Sequence, residues 1–270
     1  MKGISRRDVL CGVGHAAAFG VLAAALPRHV LAAEQAAGDG VAICLSMLYP
    51  GGKKFDGDRY RDKHLPLIRS VYGDSIARVE LRMVPPPEKL ARSSKNARSA
   101  TRPPTPPYVA AISLWIRNVE QFGKITAASG QQIQADLLKV TDITPYVQYD
   151  ETIAQKGDPR SDVPVGSEVT STYFLNKDGG RWDAPYFVDK YLPKVEEVYG
   201  TSLRRIEVTK GRAGQGGTPL LMMSASHLYI RDHTAFDAAG KKAGMQLFQE
   251  AANYTDIRGF PVLMNVQAAG

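Results

Sequence analysis

Residues 54–80 read KFDGDRYRDKHLPLIRSVYGDSIARVE, and residues 181–207 read RWDAPYFVDKYLPKVEEVYGTSLRRIE. The two stretches align without a gap at an offset of 127 and share, among others, Asp62/Asp189, Lys63/Lys190, Leu65/Leu192, Pro66/Pro193, Tyr72/Tyr199 and Gly73/Gly200. A second gapless block sets 116–143 on 230–257 at an offset of 114, ending in Thr141-Asp142-Ile143 and Thr255-Asp256-Ile257. One unit of roughly 110 residues therefore occurs twice. A duplicated domain packs against its own copy, so the repeat predicts the architecture and the place of a cavity.

Each unit reads β-α-β-β-α-β. In the first, strands are expected at 41–49, 75–84, 108–116 and 143–149, with apolar residues at helical spacing over 58–72 and 119–138. In the second, strands are expected at 169–175, 202–208, 220–230 and 260–266, with helices over 184–199 and 234–252. The repeats span 41–150 and 168–267, and 151–167, with Gly157, Pro159, Pro164 and Gly166, reads as the linker. A Pro-, Ser- and basic-rich loop at 85–107 and a Gly-rich loop at 210–217 occupy the same place in the two copies. An antiparallel sheet with both helices on one face leaves its other face open, and an equivalent sheet covers it best. The expectation is an α+β protein: two ferredoxin-like βαββαβ repeats facing each other as a barrel within one chain, helices outside, monomeric.

The first 32 residues read as an address. Ser5-Arg6-Arg7-Asp8-Val9-Leu10 carries a twin arginine, a weakly apolar stretch follows, and small-residue cleavage sites end at Ala32 or Ala33. This implies the twin-arginine export machinery as a partner and a periplasmic or secreted location. An uncleaved anchor helix is the alternative reading, and nothing downstream reads as a permanent membrane span. Loss of 1–32 lowers the formal charge from +7 to +4, and residues 88–102 alone carry that surplus. A basic balance confined to one loop without interleaved aromatics gives no argument for nucleic acid. That loop reads as a solvated insertion, with a lid or an anion-binding patch as alternatives. Cys44 is the one cysteine left after cleavage, so no intrachain disulfide forms. Its apolar run, Val41–Leu45, makes it a buried structural thiol.

The motif richest in chemistry is Asp62-Lys63-His64-Leu65-Pro66-Leu67. Proline inside a helix removes a hydrogen bond and clashes with the carbonyl four residues back, so the helix must kink near Leu65. His64 sits at that irregularity, where an imidazole can be aimed inward as an acid or base near neutral pH. The second copy keeps the proline as Pro193 but has Tyr191 where His64 stands. The kink is therefore structural, and any histidine chemistry belongs to the first half. Asp56 and Asp183 read as helix N-caps, and Gly73 and Gly200 as helix ends. Tyr60, Tyr108, Trp115 and Tyr191 are aromatic residues suited to an apolar pocket, and His227 is placed on a strand from which it can enter the barrel. No close ligand spacing supports a metal site. The Gly-rich loop lacks the pattern of a phosphate-cradling loop.

The stretch from Lys54-Phe55-Asp56 through Lys63-His64-Leu65-Pro66-Leu67, with Pro107-Tyr108-Val109-Ala110 and Thr141-Asp142-Ile143, resembles the EthD family, named for ethyl tert-butyl ether degradation, of the dimeric α+β barrel superfamily. The likeness is closest over 41–150 and thinner over 168–267. It implies a two-unit barrel with an apolar pocket and an association with oxidoreductase systems and catabolic clusters. Relatives in the wider superfamily include cyclases, isomerases, quinone-forming monooxygenases and haem enzymes. The tandem fusion and the export signal depart from a single-unit member and speak against a cytoplasmic ether-oxidising system.

Two functions of different class follow. The first is an enzyme, an oxidoreductase or a cofactor-free isomerase or lyase, acting on a small apolar or aromatic molecule. His64 moves a proton while Tyr60, Tyr108, Trp115, Tyr191 and His227 shape the pocket. The second is a non-catalytic periplasmic binding or accessory protein. No cofactor is required by the residues, and haem, with His64 or His227 as axial ligand, is a further option from the wider superfamily.

Overall fold

The computed structural model describes residues 43–51, 54–85, 108–157 and 163–269. Residues 1–32, read above as an export signal, and the basic residues 88–102 lie outside the described residues.

Helix α1 is one rod in three pieces: Gly57–Arg59, a π-helical stretch Tyr60–His64, and Leu65–Tyr72. Asp56 caps its start by accepting from Arg59 N at 3.0 Å. The expected break at the proline takes a specific form. Pro66 has no N–H to give, and its ring crowds the carbonyl of Asp62, so the preceding turn widens and Leu65 N bonds back to Tyr60 O. The rod carries on through the π turn without separating. Gly73, at φ +50°, ends it in the left-handed region. Helix α2 runs Val119–Leu137 behind an Asn118 cap. The second half repeats the plan. Helix α3 comprises Ala184–Tyr186, a π stretch Phe187–Tyr191 and Leu192–Tyr199 ahead of Gly200 at φ +43°, and α4 runs His233–Glu250.

Eight antiparallel strands close into a barrel: β1 (Ile43–Pro50), β2 (Ile76–Met83), β3 (Tyr108–Ile116), β4 (Tyr146–Lys156), β5 (Glu168–Leu175), β6 (Leu203–Gly214), β7 (Met222–Ile230) and β8 (Phe260–Ala269). Their order around the barrel is β1-β3-β2-β8-β5-β7-β6-β4. Each half contributes four neighbouring strands. The halves meet at two seams, β2 on β8 from Glu80↔Ala269 to Met83↔Asn265, and β4 on β6 from Gln148↔Gly214 to Lys156↔Ile206. Closure leaves no open sheet edge among the described strands.

The second seam corrects two sequence boundaries. Residues 151–156, read as the start of the linker, are strand, because they pair with the other half to close the barrel. Residues 210–214, read as loop, belong to β6 for the same reason; Gly211 and Gly214 let neighbouring backbone approach where a Cβ would meet Met222 O and Thr218 O.

The layers invert a simple expectation. Faces turned outward are apolar and covered by the helices: Leu45, Val79, Leu81, Ile112 and Leu114 pack under α1 and α2, and Phe174, Ile206, Val208 and Ile230 under α3 and α4. Faces turned into the barrel carry charge.

Candidate active site

The barrel interior is a buried ionic network. Arg78 Nη2 donates to Glu207 Oε2 at 2.7 Å, Trp115 Nε1 donates to Glu207 Oε1 at 2.8 Å, and the Arg78 guanidinium lies 3.4 Å from the Trp115 ring centroid. The pseudo-twofold mate is built from the other copy: Tyr229 OH donates to Glu80 Oε1 at 2.8 Å, and the Arg205 guanidinium lies 5.4 Å from the Tyr229 ring centroid. The first half adds two charged groups where the second has Thr209 and Met264. Arg82 donates to Ser113 Oγ at 2.6 Å and His227 Nδ1 at 2.8 Å, and pairs with Glu80 at 3.2 Å. Asp150 accepts from Gln148 Nε2 at 2.5 Å. Burial pushes its carboxyl up to about 6, against the bonds from Ser46 and Gln148. Burial and the neighbouring Arg82 and Arg78 hold His227 well below 6.5, so it is neutral.

A cavity of only about 10 Å³ remains beside Asp150, Gln148, Tyr173 and His227, room for about one water. The interior is thus not the apolar pocket expected from the family resemblance. Every charge there needs a partner in low dielectric, and the side chains that supply partners fill the space. Trp115 is committed to Glu207, and Tyr108 closes one end of the barrel against Tyr173 and Phe260. Cys44 is buried as expected; burial, with the charges of Asp150 and Glu207, pushes its thiol up to about 12.

The apolar cavity lies elsewhere, between the first-half sheet and its helices. It measures about 20 Å³ and is lined by Tyr49, Tyr60, His64, Leu114, Phe122 and Ile133, with Leu45, Met47, Ile68, Tyr72 and Leu137. The π turn places Tyr60 and His64, both buried, on the cavity side of α1. His64 Nδ1 lies 3.0 Å from Asp136 Oδ2 on α2. Asp136 is also 3.5 Å from both Arg59 and Lys139. Burial lowers the His64 pKa from 6.5 and outweighs the opposing bond to Asp136. Burial pushes Asp136 up, but the bond to His64 and the nearby cations leave it below the ordinary carboxylate value. The ring is therefore neutral at pH 7, with Nδ1–H given to the carboxylate and the lone pair on Nε2, the arrangement of a general base. Tyr49 and Tyr60 present buried hydroxyls with no hydrogen-bond partner among the described residues.

The second half fills the equivalent space. Phe174 replaces Tyr49, Phe187 replaces Tyr60, Tyr191 replaces His64, and Tyr254 stands where the first half has Val140. These four rings pack with centroids 4.7 to 6.4 Å apart. Glu250, the counterpart of Asp136, accepts from Tyr186 OH at 2.6 Å and Lys194 Nζ at 2.8 Å.

The six residues picked from the sequence thus divide among three places. Tyr60 and His64 share the first-half cavity, Tyr191 sits in the filled second-half layer, and Tyr108, Trp115 and His227 belong to the barrel interior. Asp136 and Tyr49 were missed. Asp136 is 72 residues from His64, and no spacing signals the pair; Tyr49 ends a strand among other apolar residues.

No protein-family model matches the chain, and no curated protein does. Solved structures do. An anthrone oxidase-like protein superposes with TM-score 0.52 at 10% identity, covering 86% of this chain and 94% of that one. A candidate monooxygenase from Fusobacterium nucleatum superposes with TM-score 0.50 at 6% identity, covering 85% of this chain and 93% of that one. The chain thus has the dimeric α+β barrel fold. Both units that such a barrel requires come from one polypeptide here. An EthD-like protein from Ralstonia eutropha JMP134 is 26% identical over 37% of this chain and 91% of that one, with TM-score 0.35. Among the described residues no group of three or more His, Cys, Asp or Glu side chains is placed to hold a metal ion.

Proposed function

We propose that this dimeric α+β barrel protein is a proton-transfer enzyme with one active half, acting on a small aromatic or otherwise apolar molecule held between the first-half sheet and helices. The observation that carries this reading is the His64–Asp136 bond beside an apolar cavity. His64 Nε2 takes a proton from the substrate, and Asp136 holds the ring in the required tautomer and stabilises the imidazolium that forms. Leu114, Phe122 and Ile133 exclude water and strengthen both interactions. Entry of a single aromatic ring needs outward movement of the side chains at the cavity rim, since the closed cavity holds about one water. Oxidoreductase chemistry fits this site where the deprotonated substrate then reacts with dioxygen; isomerisation needs only return of the proton to another carbon.

Folding before export, and work in the periplasm, belong to the same proposal and rest on Arg6-Arg7 and the apolar segment after it. The test is a panel of aromatic C–H and O–H acids, including naphthols and anthrone, assayed for turnover and for hydrogen exchange. The wild-type chain accelerates at least one of them and His64→Gln does not. Binding without turnover by the wild type, unchanged by His64→Gln, would make the chain a binding protein instead.

A further inference from the structure

Tyr49 on β1 and Tyr60 on the π turn of α1 are 0% and 1% exposed, and both hydroxyls lack a partner among the described residues. A buried hydroxyl without a partner destabilises the folded chain, so two on one cavity point to a ligand that uses them. Phe55 wedges between the two rings, with centroids 4.9 Å from Tyr49 and 5.8 Å from Tyr60, and Tyr60 meets the His64 ring at 4.9 Å. Tyr49, Tyr60 and His64 thus all line one cavity. Burial raises both phenols above their ordinary value, and Tyr60 is raised further by Tyr49, so both remain protonated donors at neutral pH. In the second half the same three positions are Phe174, Phe187 and Tyr191: both hydroxyls and the imidazole are lost together, as parts of one device would be.

We propose that Tyr49 and Tyr60 form an oxyanion site for the oxygen of an enolisable carbonyl compound, while His64 takes the proton from the carbon next to that carbonyl. This rests on the reading of His64 given above and adds the substrate class. A purely apolar ligand would leave the two donors buried and unpaired, whereas a carbonyl oxygen has two lone pairs to receive them. In the step, the C–H bond next to the carbonyl breaks and its proton passes to His64 Nε2. The electron pair forms a carbon–carbon double bond, and the carbonyl π pair moves onto oxygen as an enolate. Two neutral hydroxyls in a dry site stabilise that charge most when it develops in the transition state. Return of the proton to the same carbon gives exchange, and return to a conjugated carbon gives isomerisation; neither needs an oxidant.

The experiment follows loss of the α-proton NMR signals of phenylacetone and 2-tetralone in D₂O with the exported chain, above the buffer rate. The wild type is expected to accelerate exchange, and the double variant Tyr49→Phe/Tyr60→Phe to lose about 100-fold or more, each donor of this kind being worth roughly 10²–10³. Phenylalanine keeps the shape, so an unfolding midpoint that holds or rises certifies the fold. Wild-type exchange by the double variant, with His64→Gln inactive, overturns the oxyanion assignment and leaves proton transfer standing. No wild-type exchange of either ketone overturns the carbonyl class, while the panel of the preceding section still decides the broader reading.

Discussion

His64 Nδ1 lies 3.0 Å from Asp136 Oδ2, joining α1 to α2 in the half that keeps a cavity. Because burial holds the imidazole below 6.5, its reactivity as a base should be level from pH 7 upward and fall on acidification below that value. The bond to Asp136 works against burial, so Asp136→Asn should move the acidic limb of the kcat/KM profile to lower pH. It should also reduce kcat by roughly 10- to 100-fold through loss of orientation. A pH–rate profile of the two chains checks this. A limb that stays in place would mean that Asp136 does not act through His64.

The stability contribution of His64 has its own sign. Its folded pKa is depressed, so the contribution is present above about pH 6.5 and is lost as pH falls toward the folded value. His227 acts in the same sense. Asp150 acts in the opposite sense: its folded pKa, raised from 3.8 to about 6, favours the folded state below pH 3.8, and that advantage is lost as pH rises through 6. Asp150→Asn removes this titration. Whatever its constant offset, the variant should gain on the wild type by about 2–3 kcal/mol between pH 4 and pH 7, measured by urea unfolding at several pH values.

The two helix layers should answer differently to substitution. Tyr60→Phe removes a hydroxyl without a partner, so stability should hold or rise by up to about 1 kcal/mol even as activity falls. Phe187→Ala, in the filled layer, should cost about 3–5 kcal/mol. Thermal unfolding of both variants decides it.

Glu207 is fully buried between Arg78 and Trp115. Glu207→Ala leaves a guanidinium without its carboxylate and should cost about 3–5 kcal/mol. A loss below 1 kcal/mol in chemical unfolding would show that water replaces the carboxylate and that the barrel interior is wetter than its packing implies.

How far the sequence could be read follows from these same residues. The repeat placed the eight strands and four long helices of the described residues, because each copy supplies a second reading of the same pattern. Pro66 and Pro193 marked the π turns, although a turn that widens is not distinguishable from one that breaks in a string of letters. The charged interior was written in the alternation of Arg78, Glu80 and Arg82 with Val79 and Leu81. A polar stripe on a strand ordinarily faces water, however, and only closure on Arg205 and Glu207 buries it. Asp136 sits on a helix among other polar residues and becomes informative only when α2 lies beside α1. The empty first layer and the full second one depend on Tyr254 replacing Val140, a size difference that matters only in three dimensions.

The location of the ligand tests the central claim most directly. Crystals of the chain soaked with 4-bromophenol would show the bromine by anomalous scattering. One site per chain, in the first-half layer among Leu114, Phe122 and Ile133 with the phenol oxygen on Tyr49, Tyr60 or His64, is the result predicted. Bromine inside the barrel beside Tyr108 and Tyr173, or in both helix layers equally, would contradict it.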